Sequence, residues 1–113
     1  MHESSLARQL LKVVLERARS EGAARVLRVE GWVAETEALK PEALNLHFAA
    51  LAQGSSAEGA ALALEMVHVR AKCSNCANVY QPEHHLTLCP SCGGVDATLL
   101  DPTGVAITRL ELE

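Results

Sequence analysis

The four cysteines of this 113-residue chain fall in two short pairs, and each pair has two residues between its cysteines. Cys73 and Cys76 form the first pair; Cys89 and Cys92 form the second, after a spacer of twelve residues. Two such pairs facing each other supply four thiolates in a tetrahedron, which suits Zn²⁺ at roughly 2.3 Å per Zn–S bond and leaves no position open for water. The sequence therefore predicts a structural metal site rather than a catalytic one.

The residues beside the cysteines support this prediction. Pro90 fixes φ ahead of the second turn, and Gly93 and Gly94 allow the positive φ that points backbone N–H groups at the sulfurs. After the first pair the chain has Ala77 and Asn78 instead. Of these two we expect Asn78 to adopt the left-handed conformation.

Other uses of four cysteines fit the sequence less well. Two disulfides would need an oxidising compartment, and the chain begins at Met1 without a basic, apolar signal segment, so a cytoplasmic protein with reduced thiols is expected. A redox pair would normally begin a helix after a strand, and one pair would suffice. Ligand type alone leaves iron open, as in rubredoxin-like sites. That class is rich in aromatic residues, however, and this chain has one Trp, one Tyr and one Phe.

Length and charge narrow the classes of protein further. A chain of 113 residues can build one compact core. Its apolar runs stop well short of the roughly 20 residues that a membrane helix needs, so no membrane span is expected. The net charge is −4, with ten basic and fourteen acidic residues. An acidic chain with few aromatic rings offers little to phosphates or bases, so we expect no nucleic-acid partner.

The apolar pattern predicts two amphipathic helices and three longer strands. Their order is a helix from Ser4 or Ser5 to Glu21, a strand over Arg25–Val33, a helix from Pro41 to just before Gly54, a strand from Leu62 to Val69 and a strand over Val105–Leu112. The faces predicted to be buried are Leu6, Leu10, Val13, Val14 and Ala18 in the first helix, Leu44, Phe48, Leu51 and Ala52 in the second, and Leu27, Val29 and Val33 in the first strand.

These elements predict an α+β fold, with two helices on a small antiparallel sheet and a zinc-ribbon lobe inserted between the last two strands. We expect those two strands to pair with each other, because one enters the lobe and the other leaves it. Residues 1–70 and 100–113 would form the α/β body. Residues 71–99 would form the zinc-binding lobe, which is too short to have a core without its metal.

The amino terminus is a second candidate metal site. The amine of Met1, the amide nitrogen and imidazole of His2 and the amide of Glu3 can close adjacent chelate rings in one plane. Planar nitrogen coordination is the preference of Ni²⁺ and Cu²⁺. By itself, a His after Met1 is more often a solvated terminal residue.

The order of features along the chain adds to this reading. The chain starts Met-His-Glu, continues with a helix at Pro41-Glu42-Ala43-Leu44 and with Glu58-Gly59-Ala60 before a strand, then has the two cysteine pairs and ends at Leu110-Glu111-Leu112-Glu113. Together these features resemble the HypA/HybF family of hydrogenase nickel-incorporation proteins. The resemblance runs from Met1 to the end of the chain.

The resemblance implies a nickel metallochaperone rather than an enzyme. The expected sites are a nickel site at the amino terminus, for which His2 is needed, and a structural zinc site at the four cysteines. The implied partners are a nickel-handling GTPase, the [NiFe]-hydrogenase large subunit and, in some bacteria, urease. This chain departs from the family at Ser4, where an apolar residue is usual. It also has Ala77 and Gly93 where some members carry a His beside a cysteine pair, which puts acid-sensitive switching of the zinc ligands in doubt.

The remaining histidines have plainer readings. His84 and His85 lie between the pairs and are expected to face solvent, because four thiolates already fill a tetrahedron. His68 falls on the apolar face of the fourth element and is expected in the core or at its edge, and His47 is expected to be exposed.

The alternative function is a zinc-ribbon interaction module of the transcription or translation kind. No catalytic constellation is evident in the sequence, and the one strong site is closed.

Overall fold

The structure is a computed structural model that describes residues 3–82 and 86–113. Its elements in chain order are α1 (Glu3–Ser20), β1 (Val26–Ala34), a 3₁₀ helix (Glu35–Glu37), α2 (Pro41–Ala52), β2 (Ala61–Val67), β3 (Ala71–Cys73), β4 (Val79–Tyr80), β5 (Ala97–Leu99) and β6 (Val105–Leu112). Two helices combined with small sheets confirm the predicted α+β fold class.

Helix α1 buries one apolar stripe, formed by Leu6, Ala7, Leu10, Leu11, Val14 and Ala18. Val13 is 54% exposed, so its predicted place in the core was wrong. The helix begins at Glu3, so Ser4 lies in its first turn instead of capping it. At the other end Gly22 has φ +68°, and the N–H of Ala23 donates to the carbonyl of Ala18 at 2.9 Å. This hydrogen bond and the left-handed glycine stop the helix where the sequence predicted.

Helix α2 packs against α1. Pro41 occupies its first turn, where a missing N–H costs no intrahelical hydrogen bond. The buried residues are Leu44, Phe48 and Ala52, spaced four residues apart. Leu51, predicted to join them, is exposed instead. Helix α2 therefore buries a single row of side chains.

The first sheet has the strand order β2-β1-β6. Strands β1 and β6 are antiparallel, because Glu113 donates to the carbonyl of Arg25 at one end and Ala34 donates to the carbonyl of Gly104 at the other, both at 2.9 Å. The prediction that β2 and β6 pair was wrong, since β1 lies between them. A central place suits β1 because Val29 is fully buried and both edges of the strand find hydrogen-bond partners there.

A glycine sets the distance between β1 and β6. A Cβ atom at Gly31 would lie 2.1 Å from the carbonyl oxygen of Ala106, so no other residue fits without moving the strands apart. In the same strand Val26 is buried and Leu27 is 39% exposed, which corrects the predicted inward position of Leu27. Buried and exposed side chains therefore do not alternate strictly between Val26 and Val29.

The chain divides into two compact units. One comprises Met1–Trp32, Leu39–Glu65 and Ala106–Glu113, and the other comprises Val33–Ala38 and Met66–Val105. The second unit contains a small sheet of order β4-β3-β5, in which β3 pairs antiparallel with both neighbours. The predicted division into a body and a 71–99 lobe remains a prediction.

The second unit has a small core of its own, made of Ala71, Cys73, Tyr80 and Cys89 with Ala97 packed against it. Two of these residues are cysteines of the predicted metal site. An apolar cluster of this size cannot by itself order the strands and turns around it, since small domains normally need a staple such as a metal.

The chain segments that enter and leave this small sheet are joined by one ion pair. Asp101 accepts hydrogen bonds from the backbone N–H and from two guanidinium nitrogens of Arg70, each at 2.9 Å. These bonds lower the pKa of Asp101 to about 2. Because the pKa is lowered in the folded state, the stabilisation is fully present above about pH 4 and is lost only as the pH falls towards 2.

Within the described ranges, no helix is both long enough and apolar enough to cross a membrane.

Candidate metal centre

The four cysteines come together at one point of the second unit. Their sulfur atoms all lie within 4.8 Å of one another. The Sγ atoms of Cys73 and Cys92 are 3.5 Å apart, and those of Cys76 and Cys89 are 3.6 Å apart. A tetrahedral metal with bonds of roughly 2.3 Å would hold its sulfurs about 3.8 Å apart. The arrangement therefore fits a four-coordinate ion without rebuilding the chain.

The two cysteine pairs are the same backbone turn used twice. The matching hydrogen bonds are Cys73 N–H to Asn78 O and Ala77 N–H to Cys73 O in the first turn, at 2.9 and 3.0 Å, and Cys89 N–H to Gly94 O and Gly93 N–H to Cys89 O in the second, both at 2.9 Å. Each turn is therefore closed by hydrogen bonds between its own backbone groups. These local bonds orient the sulfurs, which explains why the cysteine spacing alone predicted the site.

The left-handed position of each turn is the fifth residue counted from its first cysteine. Gly93 has φ +74° and Ala77 has φ +63°, so the expectation that Asn78 would take this conformation was wrong. The N–H of Gly94 points at the sulfur of Cys92, at 3.4 Å, as predicted, although only Gly93 of the two glycines has a positive φ. A Cβ at Gly94 would lie 3.2 Å from that sulfur, so glycine keeps the approach open.

Two asparagine side chains also face the sulfurs, and the sequence analysis did not anticipate either contact. The amide nitrogen of Asn75 lies 3.6 Å from the sulfur of Cys92, and that of Asn78 lies 3.8 Å from the sulfur of Cys89. The Asn75 amide is the largest cause of a lowered pKa at Cys92. An amide inside or just after a Cys-x-x-Cys turn is the signal that could have found these donors, which stabilise thiolate charge.

The pKa values of the thiols of Cys89 and Cys76 are shifted in opposite directions. Burial acts to raise the pKa of Cys89, but hydrogen bonds from the backbone of Cys92 and Ser91 and from the thiol of Cys76 outweigh it and lower the pKa to about 6. At Cys76 the backbone of Asn78 acts to lower the pKa, but the hydrogen bond with Cys89 and the other sulfurs raise it to about 12. Four thiolates this close repel one another, so a cation is needed to balance them.

Of the three residues predicted to hold nickel, Met1 and His2 lie outside the described residues. Glu3 is the first residue of α1, and its carboxylate accepts a hydrogen bond from the backbone N–H of Lys40 at 3.3 Å. Lys40 is the N-cap of α2 and gives that helix no side-chain cap of its own. Glu3 therefore brings negative charge to the start of α2, where the helix dipole favours it.

The other histidines have mixed outcomes. His84 and His85 lie outside the described residues. His47 is exposed on α2, as predicted. His68 is not in the core: it follows the end of β2, its side chain is 63% exposed, and its Nδ1 lies 2.7 Å from a carboxylate oxygen of Glu35. Alternation along β2 misplaced it because the strand ends one residue earlier, at Val67.

A small α+β protein whose four cysteine sulfurs lie within 4.8 Å of one another belongs to the class of metal-binding proteins. The family model for "Hydrogenase/urease nickel incorporation, metallochaperone, hypA" matches residues 1–112. This chain is therefore a member of the HypA family of nickel metallochaperones, as its resemblance predicted. It is a maturation factor and not an enzyme.

Individual relatives agree with the family match. The chain is 32% identical over 113 residues to the hydrogenase maturation factor HypA of Acidithiobacillus ferrooxidans, and the match covers 100% of both chains. It is 35% identical over 95 residues to the HypA of Chlorobium luteolum, covering 84% of this chain and 81% of that one.

Solved structures show the same fold. The chain superposes on the solution structure of the Ni metallochaperone HypA from Helicobacter pylori with a TM-score of 0.67 at 22% identity, over 99% of this chain and 97% of the other. A second HypA solution structure gives a TM-score of 0.63, also at 22% identity.

Proposed function

We propose that this chain binds Ni²⁺ at its amino terminus and delivers it, with a nickel-handling GTPase, to the large subunit of a [NiFe]-hydrogenase in the cytoplasm. The observation that carries the proposal is the match to the nickel-incorporation family over residues 1–112, which includes both the terminal Met-His-Glu and the four cysteines. Urease is a second nickel enzyme to which the chain would deliver the ion.

The proposed nickel ligands are the amine of Met1, the amide nitrogen and imidazole of His2 and the amide nitrogen of Glu3. Four nitrogens in one plane match the preference of Ni²⁺. The carboxylate of Glu3 already accepts the N–H of Lys40, which supports a backbone role for Glu3 at the metal. Both axial faces of a planar site stay open, so an acceptor can bring in its own ligand before the first bond breaks.

The four cysteines, in this proposal, hold a structural Zn²⁺. The sulfur spacing of 3.5 and 3.6 Å and the amide groups around the sulfurs support it. When bound, the ion supplies the positive charge that lets four thiolates coexist. Thiolates fill all four positions, so the zinc stays in place while nickel is exchanged elsewhere.

Nickel affinity is expected to fall on the order of 100-fold or more between pH 8 and pH 6. Both the terminal amine, with an ordinary pKa of about 7.7–8.0, and the imidazole, at about 6.5, must lose a proton to bind. The two amide nitrogens also release their protons when they coordinate, which steepens the fall. Isothermal titration of the zinc-loaded protein with Ni²⁺ at several pH values measures the change. A chelator challenge should remove nickel in minutes and leave zinc bound.

His47→Ala is the matched control, because this histidine is exposed on α2 and should leave the titration unchanged. An affinity that stays flat from pH 8 to 6, or nickel that resists the chelator as long as zinc does, would show a protein that stores nickel instead of delivering it.

The partner part of the proposal has its own test. The purified chain should form a complex with the GTPase of the same maturation system at physiological salt, and it should not bind DNA or RNA, because its net charge is −4. Binding is measured by size-exclusion chromatography and by fluorescence anisotropy with labelled oligonucleotides. Salt-sensitive nucleic-acid binding at micromolar protein without a GTPase complex would favour the zinc-ribbon interaction module.

A further inference from the structure

Three polar side chains of the second unit form a cluster. They belong to Glu35, His68 and Gln81. Glu35 begins the 3₁₀ helix, His68 follows β2, and Gln81 follows β4. The Nδ1 atom of His68 lies 2.7 Å from a carboxylate oxygen of Glu35 and 2.9 Å from the side-chain amide nitrogen of Gln81. Glu35 and Gln81 lie 33 and 13 positions from His68 in the sequence, and both contact Nδ1 of its imidazole.

Hydrogen bonds alone do not satisfy all three groups as they stand. If Nδ1 carries a proton and donates it to Glu35, it has no lone pair to accept from the Gln81 amide. If Nδ1 accepts from Gln81, its lone pair faces the Glu35 carboxylate at 2.7 Å. Turning the amide half-way round brings its oxygen to Nδ1 instead. A proton on Nδ1 is then shared between two oxygens, and without that proton the lone pairs of the imidazole, the carboxylate and the amide face one another.

Glu35 adds a second sign of a missing positive group. Its other carboxylate oxygen, Oε1, is buried and has no hydrogen-bond partner in the described part of the chain. The Glu35 side chain is only 19% exposed, whereas His68 is 63% exposed. An unpaired oxygen on a largely buried carboxylate is costly, and a cation is the partner that offsets this cost most fully.

We propose that Glu35, His68 and Gln81 bind a divalent first-row transition-metal ion through a carboxylate oxygen, Nδ1 and the amide oxygen, with water completing the coordination. Ligands at right angles on bonds of about 2.1 Å lie about 3 Å apart, close to the observed 2.7 and 2.9 Å. One imidazole with two oxygens suits Ni²⁺, Co²⁺ or Zn²⁺ and gives no reason to prefer Mg²⁺. With three protein ligands and an exposed histidine, the site holds its ion more weakly than the four cysteines hold theirs.

The test is a Ni²⁺ titration of the zinc-loaded His2→Ala protein, followed by amide NMR. The substitution removes the imidazole that anchors the proposed terminal chelate, so remaining tight binding comes from elsewhere. Six-coordinate Ni²⁺ is paramagnetic, and it should broaden the amide signals around Glu35, His68 and Gln81. His68→Ala and Glu35→Gln should each weaken this binding by about tenfold or more, and Mg²⁺ at the same concentration should cause no change in these signals.

Gln81→Ala is the milder variant, because it leaves the contact between Glu35 and His68 in place and should still weaken binding. His47→Ala and a variant with both His84 and His85 replaced by Ala should bind as the parent does. The proposal is overturned if broadening survives His68→Ala unchanged, if it disappears only when His84 and His85 are replaced, or if no broadening occurs near Glu35 at millimolar Ni²⁺.

Discussion

Cys73→Ser is expected to lower the zinc content from about one ion per chain to near zero and to disorder residues 71–99. In small zinc domains the metal-binding free energy, about 10 kcal/mol or more, is also folding free energy. The apolar cluster around the cysteines, which consists of Ala71, Cys73, Tyr80 and Cys89, is too small to replace that free energy. Elemental analysis measures the metal, and the dispersion of amide NMR signals measures the order.

The matched control for this change is Ser91→Ala. Ser91 lies between the cysteines of the second pair, and its backbone, which the change keeps, contributes to the lowered pKa of Cys89. Zinc content and dispersion should be unchanged in this variant. Signals from α1 and α2 should persist in Cys73→Ser, because their buried residues belong to the other unit. Full zinc and native dispersion in Cys73→Ser would remove the structural role, and iron in the parent protein would correct the metal.

Features that depend on neighbouring residues were predictable from the sequence. Both helices follow from apolar spacing and from their end signals, with Pro41 at the start of α2 and Gly22 after the end of α1. The last strand was predicted with its observed bounds, Val105–Leu112. The meeting of the four sulfurs followed because each cysteine pair folds on its own backbone hydrogen bonds.

Features that depend on distant contacts were not predictable in the same way. Chain order favoured a pairing of β2 with β6, but β1 lies between them, and only the three-dimensional packing decides which strand is central. The close approach at Gly31 depends on the Ala106 carbonyl, which lies 75 positions further along the chain. Val13 is apolar and at helical spacing, yet it lies outside the stripe that α1 buries and is exposed.

The same limit applies to the cluster of Glu35 and His68. Nothing in the residues near His68 marks it, because its carboxylate partner comes from another element and Gln81 from a third. Alternation assigned His68 to an apolar face, whereas the structure makes it part of a polar cluster. Chemistry that assembles from separate elements has no spacing to detect in the sequence.

Acetylating the α-amine of Met1 is expected to abolish tight nickel binding while zinc stays at about one ion per chain. Acetylation keeps the imidazole of His2 but converts the Met1 amine into an amide and leaves no free amine next to it. The chelate then loses its amine ligand, and affinity should fall on the order of 100-fold or more, as for loss of a ligand. Nickel titration and elemental analysis on the same sample measure both metals.

His2→Ala should have the same effect on nickel for a different reason, since it keeps the amine and removes the imidazole. Comparing the two variants separates a terminal chelate from a site that needs only the histidine. If the acetylated protein binds nickel as tightly as the parent while His2→Ala does not, then the imidazole acts with other ligands, and the amine has no part in holding the metal. If both variants bind normally, nickel is held elsewhere on the chain and the terminal site is absent. The expected result, loss of nickel in both with zinc unchanged, would place the exchangeable metal on the first residues of the chain, ahead of the packing of α1, where no core residue has to move for the ion to leave.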